Sequence, residues 1–284
     1  MRICRFDDNR VGLVIDGGVA DVTAIAAAGL APMRWPLPPG DAFIRRLPEL
    51  RAALEGAAAT APRLAASGVK LLSPVANPGK IVGAPVNYLR HMEESRADPG
   101  INFGSDVRTI ERYGLFLKAT SSLVGAGEGV VCGPADRRTD HELELAVVIG
   151  GGGRDIAEAD ALGHVAGYAI GLDMTIRGPE DRSYRKSLDT FSVLGPWLVT
   201  ADAFGDPGAV DMELTVNGDA RQKANTRDLI FPVPRLIAYA SRAYRLDPGD
   251  VIMTGTPEGV APVVPGDVMD CRIEGIGAMR VEVR

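Results

Sequence analysis

Apolar and polar positions alternate most tightly over DHELELAVVIG, residues 140–150. Leu143, Leu145, Val147 and Ile149 fall on one side of a period-two pattern, with Glu142, Glu144, Ala146 and Val148 on the other. The spacing predicts a strand covered on both faces whose two glutamates point the same way. A second apolar run, HVAGYAIGLD, predicts a strand ending at Asp173. YGLFLKATSSLVGAGEGVV predicts another, carrying Lys118, and KIVGAPVNYLRHMEES reads as a strand from Lys80 that turns into a short helix. Further on, AVDMELTVNG and DARQKANTRDL form a hairpin turning at Asn217-Gly218. A helix over residues 234–244 turns Leu236, Ile237 and Ala240 inward, and LDPGDVIMTGTPEGV gives a turn, a strand and a glycine-bracketed loop. PGDVMDCRIEGIGAMRVEV closes the chain as paired strands.

The first 72 residues have a different texture. RICRFDDNRVGLVIDGGVADV alternates short β-rich runs with turns at Asp7-Asp8-Asn9 and Gly17-Gly18, which predicts a small antiparallel meander. Pro32, Pro36, Pro38 and Pro39 break the next piece into loop before an alanine-rich helix over residues 47–59. LLSPVANPGK is a proline-bearing connector, so the expected division is a small N-terminal domain, 1–72, and a second domain, 73–284. The class is α+β and mostly β in the second part.

Composition narrows the possibilities. The 46% of hydrophobic residues never gather into a span of about 18, so no membrane helix is predicted. MRICRFDDNR places charges where a signal peptide needs its apolar core, and a cytoplasmic location is expected. Cys4, Cys132 and Cys271 are scattered without CxxC spacing, which argues against a disulfide framework or a thiolate zinc site. With 31 basic and 37 acidic residues the net charge is −6, and no basic block suggests a nucleic-acid partner.

The candidate chemistry is carboxylate chemistry. Two anions about 5 Å apart at an effective dielectric near 20 repel by roughly 3 kcal/mol, so Glu142 and Glu144 call for protonation, a basic partner or a hard divalent cation. Asp173 could join them. His91 and Glu94, three apart on a helix, can form a contact that orients the ring and raises its basicity, although Glu93 is an equally good local partner. The long polar stretch 96–112 is either a surface insertion or a lid over substrate. Thr254, Gly255 and Thr256 offer donors suited to a carboxylate, and Gln222 and Asn225 could line a cavity. Gly150 to Gly153 lack phosphate-loop spacing and read as a turn. His164 reads as a satisfied core histidine, and His141 alternates away from Glu142.

DHELELAVVIG, HVAGYAIGLD, KSLDTFSVLGPWLVT and GDVIMTGTPEG, in that order, resemble the fumarylacetoacetate hydrolase family over roughly residues 80–284. The resemblance implies a mixed β sandwich-roll catalytic domain after a small N-terminal domain, in a homodimer. It implies Glu142, Glu144 and Asp173 as ligands of Mg²⁺, Mn²⁺ or Ca²⁺. NYLRHMEE is similar to the family's NYxxHxxE word, which selects His91 and Glu94 as the catalytic dyad. FLKxxxSLVG implies a substrate contact for Lys118, and the lysine of KSxDxxxPxGPW implies that Lys186 stabilises an enolate or oxyanion. Val193 stands where that word has proline. Arg177 matches an arginine that leads to a substrate-touching glutamine, but Glu180 occupies the glutamine's place. Gly255 and Thr256 match the word that holds the substrate acid. The implied function is metal-dependent hydrolysis of a C–C bond in a 1,3-diketo acid of acylpyruvate or fumarylpyruvate type. The alternatives are tautomerisation of a 2-hydroxymuconate-like dienoate and decarboxylation of oxaloacetate. A catalytically silent ligand-binding relative is a third reading, against which the intact His91 and Glu94 count.

Overall fold

The structure, a computed structural model, describes all residues except 31–34 and 105. Pro32, expected in a loop, lies outside the described residues. The strand Leu143–Ile149 occupies the middle of a large sheet. It pairs antiparallel with Val165–Asp173 on one side and with Val251–Met253 on the other. Val165–Asp173 pairs in turn with Ser192–Thr200, bringing Asp173 opposite Ser192, and Val251–Met253 runs parallel to Ile81–Gly83, whose far neighbour is Phe116–Lys118. Glu144 lies opposite Gly171 in this register. A β-carbon on Gly171 would stand 2.6 Å from Met253 Sδ, so the glycine is what lets the central strands pack here.

The two-sided burial expected of the central strand is present. Leu143, Leu145, Val147 and Ile149 join a core with Met212, Leu214, Met269 and Val281 of a second, four-stranded antiparallel sheet, which gives the sandwich. Ala146 and Val148 face a separate core built with Ile44, Leu47, Leu50, Leu54 and Ala58 of the helix Ala42–Thr60. That helix starts five residues before the predicted 47, because Asp41 caps it. Asp41 Oδ1 accepts the Phe43 and Ile44 N–H groups at 2.9 and 3.0 Å. Its Oδ2 accepts from Ala76 and Asn77, both at 2.9 Å, tying the connector to the helix start.

The N-terminal meander, Arg2–Phe6, Arg10–Ile15 and Gly18–Asp21, extends the large sheet through antiparallel pairing of Arg2–Phe6 with Ser192–Thr200. The meander therefore lengthens the sheet, and the helix Ala42–Thr60 covers one of its faces. Leu54 has no exposed surface. Leu54→Ala is expected to cost about 2–5 kcal/mol, measured as a fall in the urea unfolding midpoint. The hairpin turns where expected, with Asn217 and Gly218 at φ of 53° and 88° as a type I′ turn requires. Among the described residues no helix is long and apolar enough to cross a membrane.

Candidate active site

Glu142, Glu144 and Asp173 meet where the central strands end, with one oxygen of each within 4.8 Å of the others and all three side chains buried. Two of them have cationic partners. Glu142 Oε1 accepts from Arg177 Nη2 at 2.8 Å and its Oε2 from Lys186 Nζ at 2.6 Å. Lys186 also donates to Asp173 Oδ2 at 2.7 Å, and Lys118 Nζ binds Asp173 Oδ1. Among the described residues Glu144 has only a neutral donor, the Gly255 N–H at 2.7 Å. The electrostatic result is a split pair. Burial alone would push Glu142 up, but Lys186 and Arg177 outweigh it and hold this carboxyl far below the usual range. Burial, with Asp173 beside it, pushes Glu144 well above that range. Three convergent oxygen donors, one of them a buried carboxyl with no ion-pair partner among the described residues, fit a hard divalent cation.

Asp140 completes this frame and is a residue that sequence reasoning missed. Its buried carboxylate accepts Arg138 Nε at 2.6 Å and Nη2 at 2.8 Å, and Arg177 Nε at 2.8 Å. Arg177 is thus forked between Asp140 and Glu142. Pairing of Thr139–His141 with Thr175–Ile176 creates the contact. Glu180 carries an anion where a neutral glutamine was expected, but Arg137 Nη1 and Nη2 grip both its oxygens at 2.9 and 2.8 Å. The same guanidinium donates from Nε and Nη2 to the Arg177 carbonyl at 3.0 and 2.8 Å. A β-carbon on Gly178 would stand 1.8 Å from Arg137 Nη2, so glycine is required for the clamp.

His91 lies on the helix Leu89–Ala97 and is buried. Its Nδ1 is 2.9 Å from Glu94 Oε2, and Glu94 Oε1 accepts the Gly259 N–H at 2.9 Å. The partner is Glu94 and not Glu93, which is exposed. A carboxylate on Nδ1 assigns the proton there and leaves Nε2 with its lone pair. Among the described residues, the hydrogen-bond contact of Nε2 is the Ser95 hydroxyl, at 3.5 Å. Val86, in the turn three residues before this helix, has φ of +51°, unusual for a β-branched side chain, and lines the same cleft as His91. Asn87 secures the strained turn, with Nδ2 donating to the Phe231 and Thr254 carbonyls at 2.9 and 2.8 Å.

A cleft of about 270 Å³ joins the two groups and is lined by His91, Glu142, Glu144, Asp173, Arg177, Glu180, Lys186 and Thr256, among others. Two expected substrate contacts lie elsewhere. Lys118 does not line the cleft: its side chain is fully buried behind Asp173, and a second bond to the Phe191 carbonyl at 2.8 Å holds it there. Gly255 turns its N–H on Glu144, at a φ of +100° that brings a would-be β-carbon within 2.5 Å of Asn87 Cβ. The Thr254 hydroxyl is spent on the Leu145 carbonyl at 2.9 Å. Thr256 does reach the cleft, and its Oγ1 accepts from Gln222 Nε2 at 2.7 Å, which leaves its hydrogen free to donate. Gln222 Oε1 accepts the Leu143 N–H at 2.9 Å and contacts His141 Nδ1 at 3.1 Å, so this amide braces the Thr256 loop against the glutamate strand. Asn225 caps a turn and does not line the cleft. His164 is half-buried and bonded through Nδ1 to the Gly151 carbonyl at 2.7 Å, away from the site.

Within the stretch 96–112, residue 105 aside, Asp98 caps the short helix Pro99–Asn102, and Val107 and Ile110 are buried. Ile101, Asn102 and Val107 form part of the cleft wall.

Residues 80–284 match the family model described as fumarylacetoacetate (FAA) hydrolase C-terminal. The chain is 54% identical over 286 residues to a maleylpyruvate hydrolase of Aquipseudomonas alcaligenes, covering 100% of this chain and 99% of that protein. It is 33% identical over 298 residues to a mitochondrial oxaloacetate tautomerase of Rattus norvegicus, covering 98% and 90%. Among solved structures, it is similar to the maleylpyruvate hydrolase of Sphingobium sp. SYK-6 in complex with manganese(II) and pyruvate. That similarity has a TM-score of 0.84 at 43% identity, over 100% of this chain and 98% of that one.

Proposed function

From the premise that this chain belongs to the fumarylacetoacetate hydrolase family, we propose that it is a divalent-metal-dependent hydrolase that cleaves a C–C bond in an acylpyruvate. Glu142, Glu144 and Asp173 would hold the cation, Mg²⁺ or Mn²⁺. When bound, the cation supplies a positive centre for the acid and 2-oxo oxygens of the substrate and for the enolate charge that develops on cleavage.

The chain's own residues do the rest. Lys118 and Lys186 fix Asp173, the Gly255 N–H fixes Glu144, and Arg177, itself held by Asp140 and Arg137, fixes Glu142. Thr256 donates to the substrate acid. His91 Nε2 takes a proton from water as that water adds to the acyl carbonyl, and Glu94 steadies the imidazolium. The bond between the acyl carbon and the methylene then breaks, and its electron pair passes into the pyruvate enolate. Two Lys186 hydrogens are engaged by Glu142 and Asp173, so its third is the one available to the enolate oxygen. The proton taken up by His91 then passes to the methylene carbon, which gives pyruvate and the acyl acid and restores the neutral imidazole. Glu180, gripped by Arg137, borders the cleft without an unpaired charge. A homodimer is the proposed assembly, on the family resemblance.

The observation that supports hydrolysis most directly is a buried imidazole whose Nδ1 is fixed by an anchored carboxylate and whose Nε2 is left for the cleft. Tautomerisation, the activity named for the rat relative, needs no activated water. The purified protein, loaded with Mn²⁺, should be given acetylpyruvate, fumarylpyruvate, oxaloacetate and a 2-hydroxymuconate-type dienoate at equal concentration. Pyruvate release from an acylpyruvate is expected to show the highest kcat/KM. A higher value for oxaloacetate or the dienoate would replace the hydrolase reading.

A further inference from the structure

The cations of this site divide into two groups. Arg177, Lys186, Lys118, Arg137 and Arg138 each have at least one carboxylate partner within 3.4 Å. Arg182 and Arg185, which also line the cleft, have no such partner among the described residues. They lie three apart on the short helix Arg182–Arg185, and both are half-buried. Arg185 spends Nε on the Glu180 carbonyl at 2.8 Å and Nη1 on the Thr175 hydroxyl and Ile176 carbonyl at 3.4 and 3.3 Å, all neutral acceptors. Its Nη2 makes no bond among the described residues. The Arg182 guanidinium stacks on the Tyr113 ring, 4.1 Å from its centroid, a contact that sets its plane without neutralising it.

The local acids do not remove this charge. Glu180 is taken by Arg137, and Asp181 Oδ1 is spent on the N–H and hydroxyl of Ser183, both within the helix start. A partly desolvated guanidinium without a counter-ion, held in place at the wall of a substrate cleft, is a ready acceptor for a carboxylate. The carboxylate cluster and Thr256 account for the pyruvate end of an acylpyruvate. They leave nothing for an anion at its other end.

We infer that Arg185, assisted by Arg182, binds the distal carboxylate of a dicarboxylic acylpyruvate, and that this pair makes the enzyme select diacids over acylpyruvates with an uncharged tail. This inference rests on the acylpyruvate hydrolase reading and assigns the residues that choose among its substrates. Arg182 and Arg185 are specificity residues, and no bond-breaking step is assigned to them.

The test compares kcat/KM for fumarylpyruvate, which has a distal carboxylate, with that for acetylpyruvate, which lacks one, in the Mn²⁺-loaded protein and in Arg185→Met, Arg185→Lys and Arg182→Met. The native ratio should favour the diacid. Arg185→Met is expected to reduce that ratio about 10- to 100-fold, the scale of a lost charged hydrogen bond, and chiefly through KM. Arg185→Lys should recover part of it. A fall in both substrates by the same factor would mean that Arg185 only braces Glu180 and Thr175, and would overturn the inference, as would an unchanged ratio. Should Arg185→Met fail to fold, Arg182→Met reads the same ratio, with a smaller fall expected and an unchanged ratio counting against the pair. If the native protein cleaves neither substrate, the hydrolase reading itself fails and this inference falls with it. If it cleaves both with equal efficiency, the hydrolase reading stands and the inference alone is wrong.

Discussion

Glu144→Ala is expected to abolish tight Mn²⁺ binding and to lower acylpyruvate cleavage by well over the 10- to 100-fold that losing a mere outer partner of a metal ligand costs. The reason is the unequal treatment of the three carboxylates. Glu142 and Asp173 already have Lys186, Lys118 and Arg177 against them, while Glu144 has a single backbone N–H. Without Glu144 the remaining acids are largely neutralised by the protein itself, and little is left to draw a cation into a buried site. Calorimetric titration with Mn²⁺, and activity after EDTA treatment and metal restoration, measure the two effects. Native affinity in the variant, or full turnover of the EDTA-treated native protein, would remove these carboxylates from the metal. A second readout concerns stability. Burial first, and then Asp173, raise the folded-state pKa of Glu144 above its ordinary 4.5. The folded metal-free protein therefore holds this proton more tightly than the unfolded chain, and its stability falls as pH rises from about 4.5 through the folded-state value. Glu144→Gln removes that cost and keeps an acceptor for Gly255. The metal-free variant should be the more stable protein at neutral pH, with the difference closing as pH falls through the folded-state value toward about 4.5.

How much of this was legible in the sequence depended on distance along the chain. The strand Leu143–Ile149 was readable because strict alternation with apolar residues on both sides admits few other structures. The His91–Glu94 contact was readable because it is local, three residues along one helix. The frame around them was not. Asp140 and Arg177 are 37 residues apart, Arg137 and Glu180 are 43, and Gln222 reaches Leu143 across 79. Nothing in composition or period marks such partners before strand register brings them together. Lys118 illustrates the same limit. A lysine on an apolar strand can snorkel, bind substrate or neutralise a buried acid, and the pairing of its strand with Ile81–Gly83, together with Asp173 55 residues away, decides for the last. Glu180 stands as an anion where the resemblance implies a neutral glutamine, and the counter-ion that resolves this, Arg137, lies in a different loop. The helix Thr23–Leu30 is not legible in the sequence, because TAIAAAGL has no polar stripe from which a period can be drawn.

His91→Ala should lower acylpyruvate hydrolysis by about 10²- to 10⁴-fold, the range for loss of a general base, while Mn²⁺ affinity stays at the native value. The imidazole is held in a way that suits the proposed role. Glu94 Oε2 fixes its Nδ1, and the Gly259 N–H fixes Glu94 from a loop 165 residues away, so ring orientation is held from two parts of the fold. Three hydrogen bonds around the carboxylates hold Glu144 and Asp173 without involving His91, so their geometry should survive the substitution. Glu94→Gln should have a smaller effect, because the amide oxygen can still accept from Nδ1 but cannot stabilise an imidazolium by charge. If the protein instead moved protons between carbon and oxygen, or only drained electrons from a departing carboxyl, no water would need activating and acylpyruvate cleavage would be incidental. Steady-state kinetics on acetylpyruvate and oxaloacetate with native, His91→Ala and Glu94→Gln proteins separate these cases. A graded loss confined to acylpyruvate cleavage assigns the base to His91. Acylpyruvate cleavage that survives His91→Ala at the native rate would leave hydrolysis without its base.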